Sequence, residues 1–349
     1  MPQSMFMRRV RYYSRDIIDM LCVTGSFLLG RCSLKKTCAY IHQAVRYKLA
    51  SIARKKGKIL ITHFDGKRIM NDDEANLFIL NAIKAGESFM AGRFGTIELE
   101  TMWRTRDDGK GFITPIDSFM NTFCHSTGFF PNDKNKMIQF SQLMRDTTRD
   151  IDLMAIRQDP MGEYEAAFYG SKSLQYCELE AIEPFFASTP WTSALAGKKV
   201  LIIHPFDKSI PSQYKKRALL FPGRDVLPEF ELIMQKSVQT MCFNRDERFA
   251  DWFEALQYMY DEAMTKDFDV ALIGCGAYGF PLASMLKRAG KIAIHLGAVV
   301  QLIFGIRGAR WENFGGEKYR NMLANPAWVR PDESERPEGF QRHENAAYW

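Results

Sequence analysis

Several short stretches of this sequence carry groups that could bind a phosphate or a sugar, hold a divalent ion, or move a proton. The first is Gly92-Arg93-Phe94-Gly95-Thr96-Ile97-Glu98, which ends an apolar run and opens a helical pattern. Arg93 offers a planar set of donors suited to phosphate. Gly95 belongs to the turn, and Thr96 can cap the helix. Glu98 can act as a catalytic carboxylate, or as a ligand to Mg2+ or Mn2+, which take oxygen donors and are commonly shared with a diphosphate. An acid in a first helical turn is also favoured by the helix dipole alone. The second stretch is Gly274-x-Gly276-x-x-Gly279, between an apolar run and a helical pattern with Pro281 in its first turn. Such glycines permit a tight turn and a close backbone approach, so that amide N–H groups face a phosphate. The third is His204-Pro205-Phe206-Asp207, with Gln213, Tyr214 and Arg217 behind it. His204 or Asp207 could serve as the base, and the other three could orient a sugar or phosphate. A fourth patch, from Gln301 to Trp311, holds Arg307 and Arg310, of which Arg310 is a candidate for the nucleotide. Glu163 is a further candidate base.

These groups need elements to position them. Apolar runs predict strands at 58–64, 88–91, 152–156, 199–205, 269–274 and 291–297. A helix is expected from Asn71 or Asp72 to Gly86, where Ala75, Phe78, Ile79 and Ile83 recur at helical spacing. Another is expected near Thr96, and a long aromatic-rich one around 248–265. Short apolar strands alternating with helices imply an α/β fold, a Rossmann-like parallel sheet covered by helices. In such sheets ligands bind outside the carboxyl ends of the strands, where most of these candidates fall. The expected organisation is a basic helical extension over 1–57, the Rossmann-like domain over 58–325 and an irregular tail over 326–349.

Charge is distributed unevenly. Residues 1–58 carry 13 Lys and Arg against 2 Asp and Glu, a local +11; the remainder carries 34 against 39, or −5. This asymmetry suggests an anionic partner surface. Two helical segments with aromatic and aliphatic positions beside basic ones suit a membrane headgroup layer, or equally a helical pair packed on the main domain with a solvated basic face; the partner expected is an anionic membrane surface, and no nucleic acid. The apolar run Ile17–Gly30 contains Asp19 and stops at Arg31, short of the roughly 20 residues a span needs. It also lacks a small-residue cleavage site for a secretory signal. Seven cysteines without a C-x-x-C pair read as reduced thiols. The expected location is therefore cytoplasmic, peripheral to the inner face of the cell membrane.

The glycine turn alone suits a dinucleotide or S-adenosylmethionine site, but both want an acidic residue at the end of the next strand. That strand ends Ile294-His295-Leu296-Gly297. A phosphate-binding role is favoured over either. The block Ala91 to Leu99 resembles the R-F-G-D-x-E segment of the bacterial GT-D fold glycosyltransferases, a Rossmann-like group. Arg93, Gly95 and Glu98 match by position. The blocks LIGCGAYGFPLA and HLGAVVQLIFGIRGARW are similar to C-terminal parts of that family, and the resemblance spans about residues 58–315. It implies transfer of a sugar from a nucleotide-sugar donor to a growing cell-surface glycan, lipid-linked, with the D-x-E pair serving metal and donor. Here Thr96 stands where the family has Asp. Two alternatives follow: Glu98 binds metal with another carboxylate, or no metal is used and Arg93 supplies charge. An NAD-dependent sugar oxidoreductase and a non-catalytic nucleotide-binding assembly protein are the competing readings.

Overall fold

The computed structural model describes residues 62–112, 115–157, 166–167, 169–343 and 346–349. The basic extension, the start of the 58–64 run and Glu163 lie outside the described residues.

A hairpin opens the fold. β1 (His63–Phe64) turns at Asp65-Gly66 into the antiparallel β2 (Lys67–Met70). α1 (Asp72–Ala85) follows, and its ends are those the sequence announces. Asn71 accepts from the Glu74 amide while Glu74 accepts from the Asn71 amide, a reciprocal capping box; Gly86 closes the helix with φ +72°. Then come β3 (Phe89–Gly92), α2 (Thr96–Arg104), α3 (Asp117–Thr127), α4 (Lys134–Thr147), β4 (Leu153–Ile156) and β5 (Gln175–Glu178). β6 (Lys199–His204) leads through the short α5 (Ser209–Tyr214) and α6 (Arg217–Leu220) to β7 (Glu231–Lys236). α7 (Trp252–Met264), β8 (Val270–Ile273), α8 (Gly279–Arg288) and β9 (Ile292–His295) complete the sheet. α9 (Val299–Ile303), α10 (Ala309–Phe314) and α11 (Gly316–Leu323) precede the tail.

The nine strands run in the order β1-β2-β5-β4-β3-β9-β8-β6-β7, parallel throughout except for the β1–β2 hairpin. Both faces are covered, which explains why the central strands are apolar along most of their length, with His295 ending β9. Met90, Met154, Leu201 and Ala271 pack on one side with α2, α3, α4, α7 and α8. Phe89, Leu153, Val200 and Val270 pack on the other with α1, α9, α11 and the tail. This is the α/β, Rossmann-like, helix-covered sheet that the sequence implies.

Three strands carry too many polar residues for their runs to stand out: β2 (KRIM), β5 (QYCE) and β7 (ELIMQK). α2 begins at Thr96, but Gly95 occupies the cap position and no side chain caps it, so Thr96 is not the cap. The tail forms two short 3-10 turns, Glu333–Glu335 and Phe340–Arg342, and buries Trp328, Ala347 and Trp349 against the domain.

Candidate functional site

Register fixes the floor of the site. Gly92 pairs with His295, His295 with Ile273, and Ile273 with Ile203, so these residues stand in one row across the sheet. One step beyond that row come Arg93, Gly274 and His204. After β6 the chain crosses to the β7 edge, and after β8 to the β9 side. Such a divergence opens a crevice at the carboxyl ends of the strands. A cleft of about 290 Å3 lies there, lined by the Arg93–Glu98 segment, Arg157, His204, the Gly274–Tyr278 turn, His295 and Arg310.

Each glycine in this region has its own reason. A Cβ on Gly95 would overlap the Glu98 carboxylate, which folds back over that position. A Cβ on Gly274 would lie 2.6 Å from Cδ2 of His204 and 2.7 Å from the Gly297 carbonyl. Gly276 has φ +61°, a left-handed conformation that a side chain disfavours, in a 3-10 turn before α8. Gly279 is buried and does not line the cleft; a Cβ there would collide with Nδ1 of His295. The third glycine of the motif therefore admits an imidazole, and its contribution to any phosphate is indirect.

The electrostatics favour an anion. Arg93, Arg157 and Arg310 line the cleft, and Glu98 is the one side-chain carboxylate among its described lining residues. Burial pushes His204 and His295 down to about 3, so both rings are neutral near pH 7; the Arg93 charge also lowers His295. The Phe206 amide donates to Nδ1 of His204 at 3.0 Å, which places the ring proton on Nε2. His204 is thus a hydrogen-bond donor, and the base role the sequence suggested for it does not suit this geometry. Arg93 is steadied from behind by Glu183, whose Oε1 lies 3.5 Å from Nη1. Tyr319 donates to the other Glu183 oxygen at 2.6 Å. Burial lifts the Glu183 carboxyl to about 7, against the lowering effect of Arg93 and Tyr319.

The sequence candidates divide accordingly. Arg93, Gly95, Thr96, Glu98, His204, Gly274, Gly276 and Arg310 come together around the cleft. Gln213, Tyr214 and Arg217 do not line it. Gln213 is buried and donates to the Gly305 and Ala327 carbonyls at 3.2 and 2.9 Å. Tyr214 donates to the Phe230 carbonyl at 2.8 Å, and Arg217 pairs with Glu229 at 2.6 Å. These three tie α5 and α6 to β7 and the tail, which explains the polar density behind His204. Asp207 is paired with Lys236 at 3.1 Å and also lies outside the lining. Other lining residues stand outside the candidates that the sequence suggested, His295 and Arg157 among them. His295 closes β9, and Arg157 follows β4, donating from Nη2 to the Phe94 carbonyl and to Oγ1 of Thr96, both at 3.2 Å. Position after a parallel strand was the only sequence signal for Arg157.

The donor set does not suit a divalent ion. Mg2+ and Mn2+ need several oxygen ligands, carboxylates foremost. Among the described lining residues Glu98 is the one side-chain carboxylate, and the Thr96 hydroxyl already receives a guanidinium. Among the described residues no group of three His, Cys, Asp or Glu side chains is placed to hold a metal.

Fold and cleft together define a Rossmann-like α/β protein with an anion-suited crevice at the carboxyl edge of its sheet. No family model matches the chain, and no curated protein matches it. Two solved structures resemble it. One is described as the highly conserved domain of unknown function 1792, with a distinct glycosyltransferase fold. It shares 13% identity, 77% of this chain and 92% of that chain, with a TM-score of 0.40. The other is the selenomethionine-substituted structure of domain of unknown function 1792, with the same identity and coverage and a TM-score of 0.39. Similarity at that level assigns no residue a role.

Proposed function

We propose that the protein is a glycosyltransferase that moves a sugar from a nucleotide-sugar donor to a cell-surface glycan acceptor, lipid-linked, at an anionic membrane face. The observation that supports this most directly is the gathering of three arginines, a glycine turn and one carboxylate in a single crevice. In this reading the donor diphosphate lies between the Arg93 guanidinium and the backbone of the Gly274–Tyr278 turn. The bond between the sugar and the diphosphate breaks as the acceptor oxygen bonds to the sugar. Glu98 takes the acceptor hydroxyl proton, and the guanidinium groups stabilise the charge that grows on the departing diphosphate. A dinucleotide oxidoreductase is disfavoured because β9 ends in the neutral, buried His295 where a ribose-binding carboxylate would stand.

Titrating UDP, GDP, CMP, NAD and S-adenosylmethionine against thermal unfolding separates the readings, because a ligand that binds the folded state raises its stability by mass action. Stabilisation by a nucleoside diphosphate supports the donor assignment. Stabilisation by NAD or S-adenosylmethionine alone would overturn it. Among the described residues no helix is long and apolar enough to cross a membrane. The membrane part of the reading rests on the charge of residues 1–58.

A further inference from the structure

We infer that one end of the crevice seats the sugar residues of the acceptor, on a row of aromatic rings that runs in from the rim. The inference rests on the glycosyl-transfer reading above and deepens it by giving the second substrate a place.

Three observations carry it. First, the rings are continuous. Phe243, on the loop after β7, is 60% exposed, and its ring lies 5.2 Å from that of His125 in α3. His125 lies 6.2 Å from His343, His343 5.4 Å from Tyr348, and Tyr348 5.7 Å from Trp349. The last three of these residues line the crevice. Arg310 stands over the Tyr348 ring at 5.2 Å and joins the row to the anion-binding end. Second, the outer end of the row is held in an unusual backbone. Cys242 and Phe243 have φ of +60° and +62°, left-handed values that residues with a side chain seldom adopt. The Cys242 amide donates to the His125 carbonyl at 2.9 Å, and the Thr240 hydroxyl to the Gly128 carbonyl at 2.6 Å, so the loop is pinned to the end of α3. Backbone kept against its preference gathers at binding sites. Third, Oγ of Ser237 and Nε1 of Trp349 are buried with no hydrogen-bond partner among the described residues, and both residues line the crevice. Buried polar atoms are seldom left in that condition.

The chemistry of this end selects its ligand. The lining residues within 237–241 and 343–349 include no Asp, Glu, Lys or Arg. A pyranose presents C–H groups on its faces, which pack on aromatic rings, and hydroxyls at its edge, which need hydrogen-bond partners. Trp349 can donate, and Ser237 can both donate and accept. The row also continues past the crevice to an exposed ring, which suits a chain of sugars better than a single nucleobase.

The test is a saturation-transfer NMR titration of the intact protein with methyl glucoside, methyl galactoside, methyl N-acetylglucosaminide, lactose and cellobiose, each with and without UDP. At least one glycoside should bind. Ser237→Ala, Phe243→Ala and Trp349→Phe, the last keeping a ring but losing the donor, should each weaken that binding about 3- to 10-fold, the effect of one hydrogen bond or ring contact. UDP affinity should be unchanged in all three. Phe243 is exposed, so its replacement leaves the core intact, and circular dichroism with a urea midpoint matching the parent checks this. Failure of every glycoside to bind, with or without UDP, would overturn the inference. Undiminished glycoside binding by the folded Phe243→Ala and Ser237→Ala variants would overturn it as well. Loss of UDP affinity in Ser237→Ala and Trp349→Phe, with glycoside binding unchanged, would give these groups to the nucleobase and refute the acceptor assignment. Glycoside binding without binding of any nucleoside diphosphate would end the donor reading and leave the sugar subsite standing.

Discussion

Replacing Glu183 by glutamine removes a charge from the interior behind Arg93 while keeping the side chain's shape. In the folded protein burial lifts this carboxyl from its ordinary 4.5 to about 7; in the unfolded chain it returns to the ordinary value. Because the folded value is the higher one, the native state holds the proton more tightly. The group's contribution to stability is therefore complete below about pH 4.5, falls as the pH rises towards 7, and levels off above. The interval between the two values corresponds to about 3 kcal/mol. The glutamine variant has nothing to titrate at this position, so wild type should lose about 3 kcal/mol relative to it between pH 4.5 and 8. The groups packed around the site, Arg93, Tyr319, Glu180 and Lys318, are common to both proteins, and their titration largely cancels in the difference. Urea unfolding of both proteins across that range reads the difference directly. If the two stability curves run parallel, the carboxyl titrates alike in the folded protein and the unfolded chain, and burial behind Arg93 does not raise it.

Further outcomes are expected. Glu98→Gln should abolish sugar transfer with the melting temperature unchanged, since charge and not shape is lost; near-normal turnover would reduce Glu98 to a residue favoured by the helix dipole. Gly276→Val should cost about 1–2 kcal/mol of stability through its left-handed backbone, and should weaken nucleotide binding by pushing a branched group into the cleft. Equal nucleotide affinity in the folded variant would make the turn structural only. Deleting residues 2–57 should release the protein from anionic vesicles while sparing transfer to a soluble acceptor analogue. Each basic residue near such a surface is worth about 1 kcal/mol, and binding should fade with salt as the field is screened within about 10 Å at 0.1 M. Sedimentation at two ionic strengths checks this, and an intact chain that ignores vesicles at low salt refutes the membrane role.

Much of the scaffold was legible because its local signals agree with its burial. The Asn71–Glu74 box and Gly86 mark α1 at both ends, and the strands covered on both faces appear as unbroken apolar runs. β2, β5 and β7 stand towards the margins of the sheet, where Lys, Arg, Gln and Glu are tolerated, and their short runs carry no such mark. At the site, the residues directly after β3 and β8 and the last residue of β6 were found because strand ends face the crevice. Arg157 obeys the same rule but stands in no motif. Gln213 and Tyr214, which donate to backbone carbonyls, and Arg217, which pairs with Glu229, lie away from the cleft; polar side chains with structural partners look, in sequence, like side chains waiting for a ligand. Gly279 fits the phosphate-binding spacing, yet its lack of a Cβ makes room for His295, a partner remote in sequence from the turn's first strand.

The ladder between β3 and β9 joins Phe89 to Ile292, and it is where two wings of the sheet meet. β1 to β5 form one wing from the first part of the chain, and β6 to β9 form the other from the second. Each wing can assemble from contacts within its own stretch, whereas closing the ladder must overcome the entropy of a very long loop, a late and slow event in folding. The crevice lies across that join, taking Arg93 and Arg157 from one wing and His204 and Gly276 from the other. A ligand that grips both sides acts as a staple: it binds only the docked arrangement and so retards the parting of the wings. Amides in the β3–β9 ladder should consequently gain more protection from hydrogen exchange on ligand binding than those of β4 with β5 or β6 with β7, and the empty protein should open first along this join.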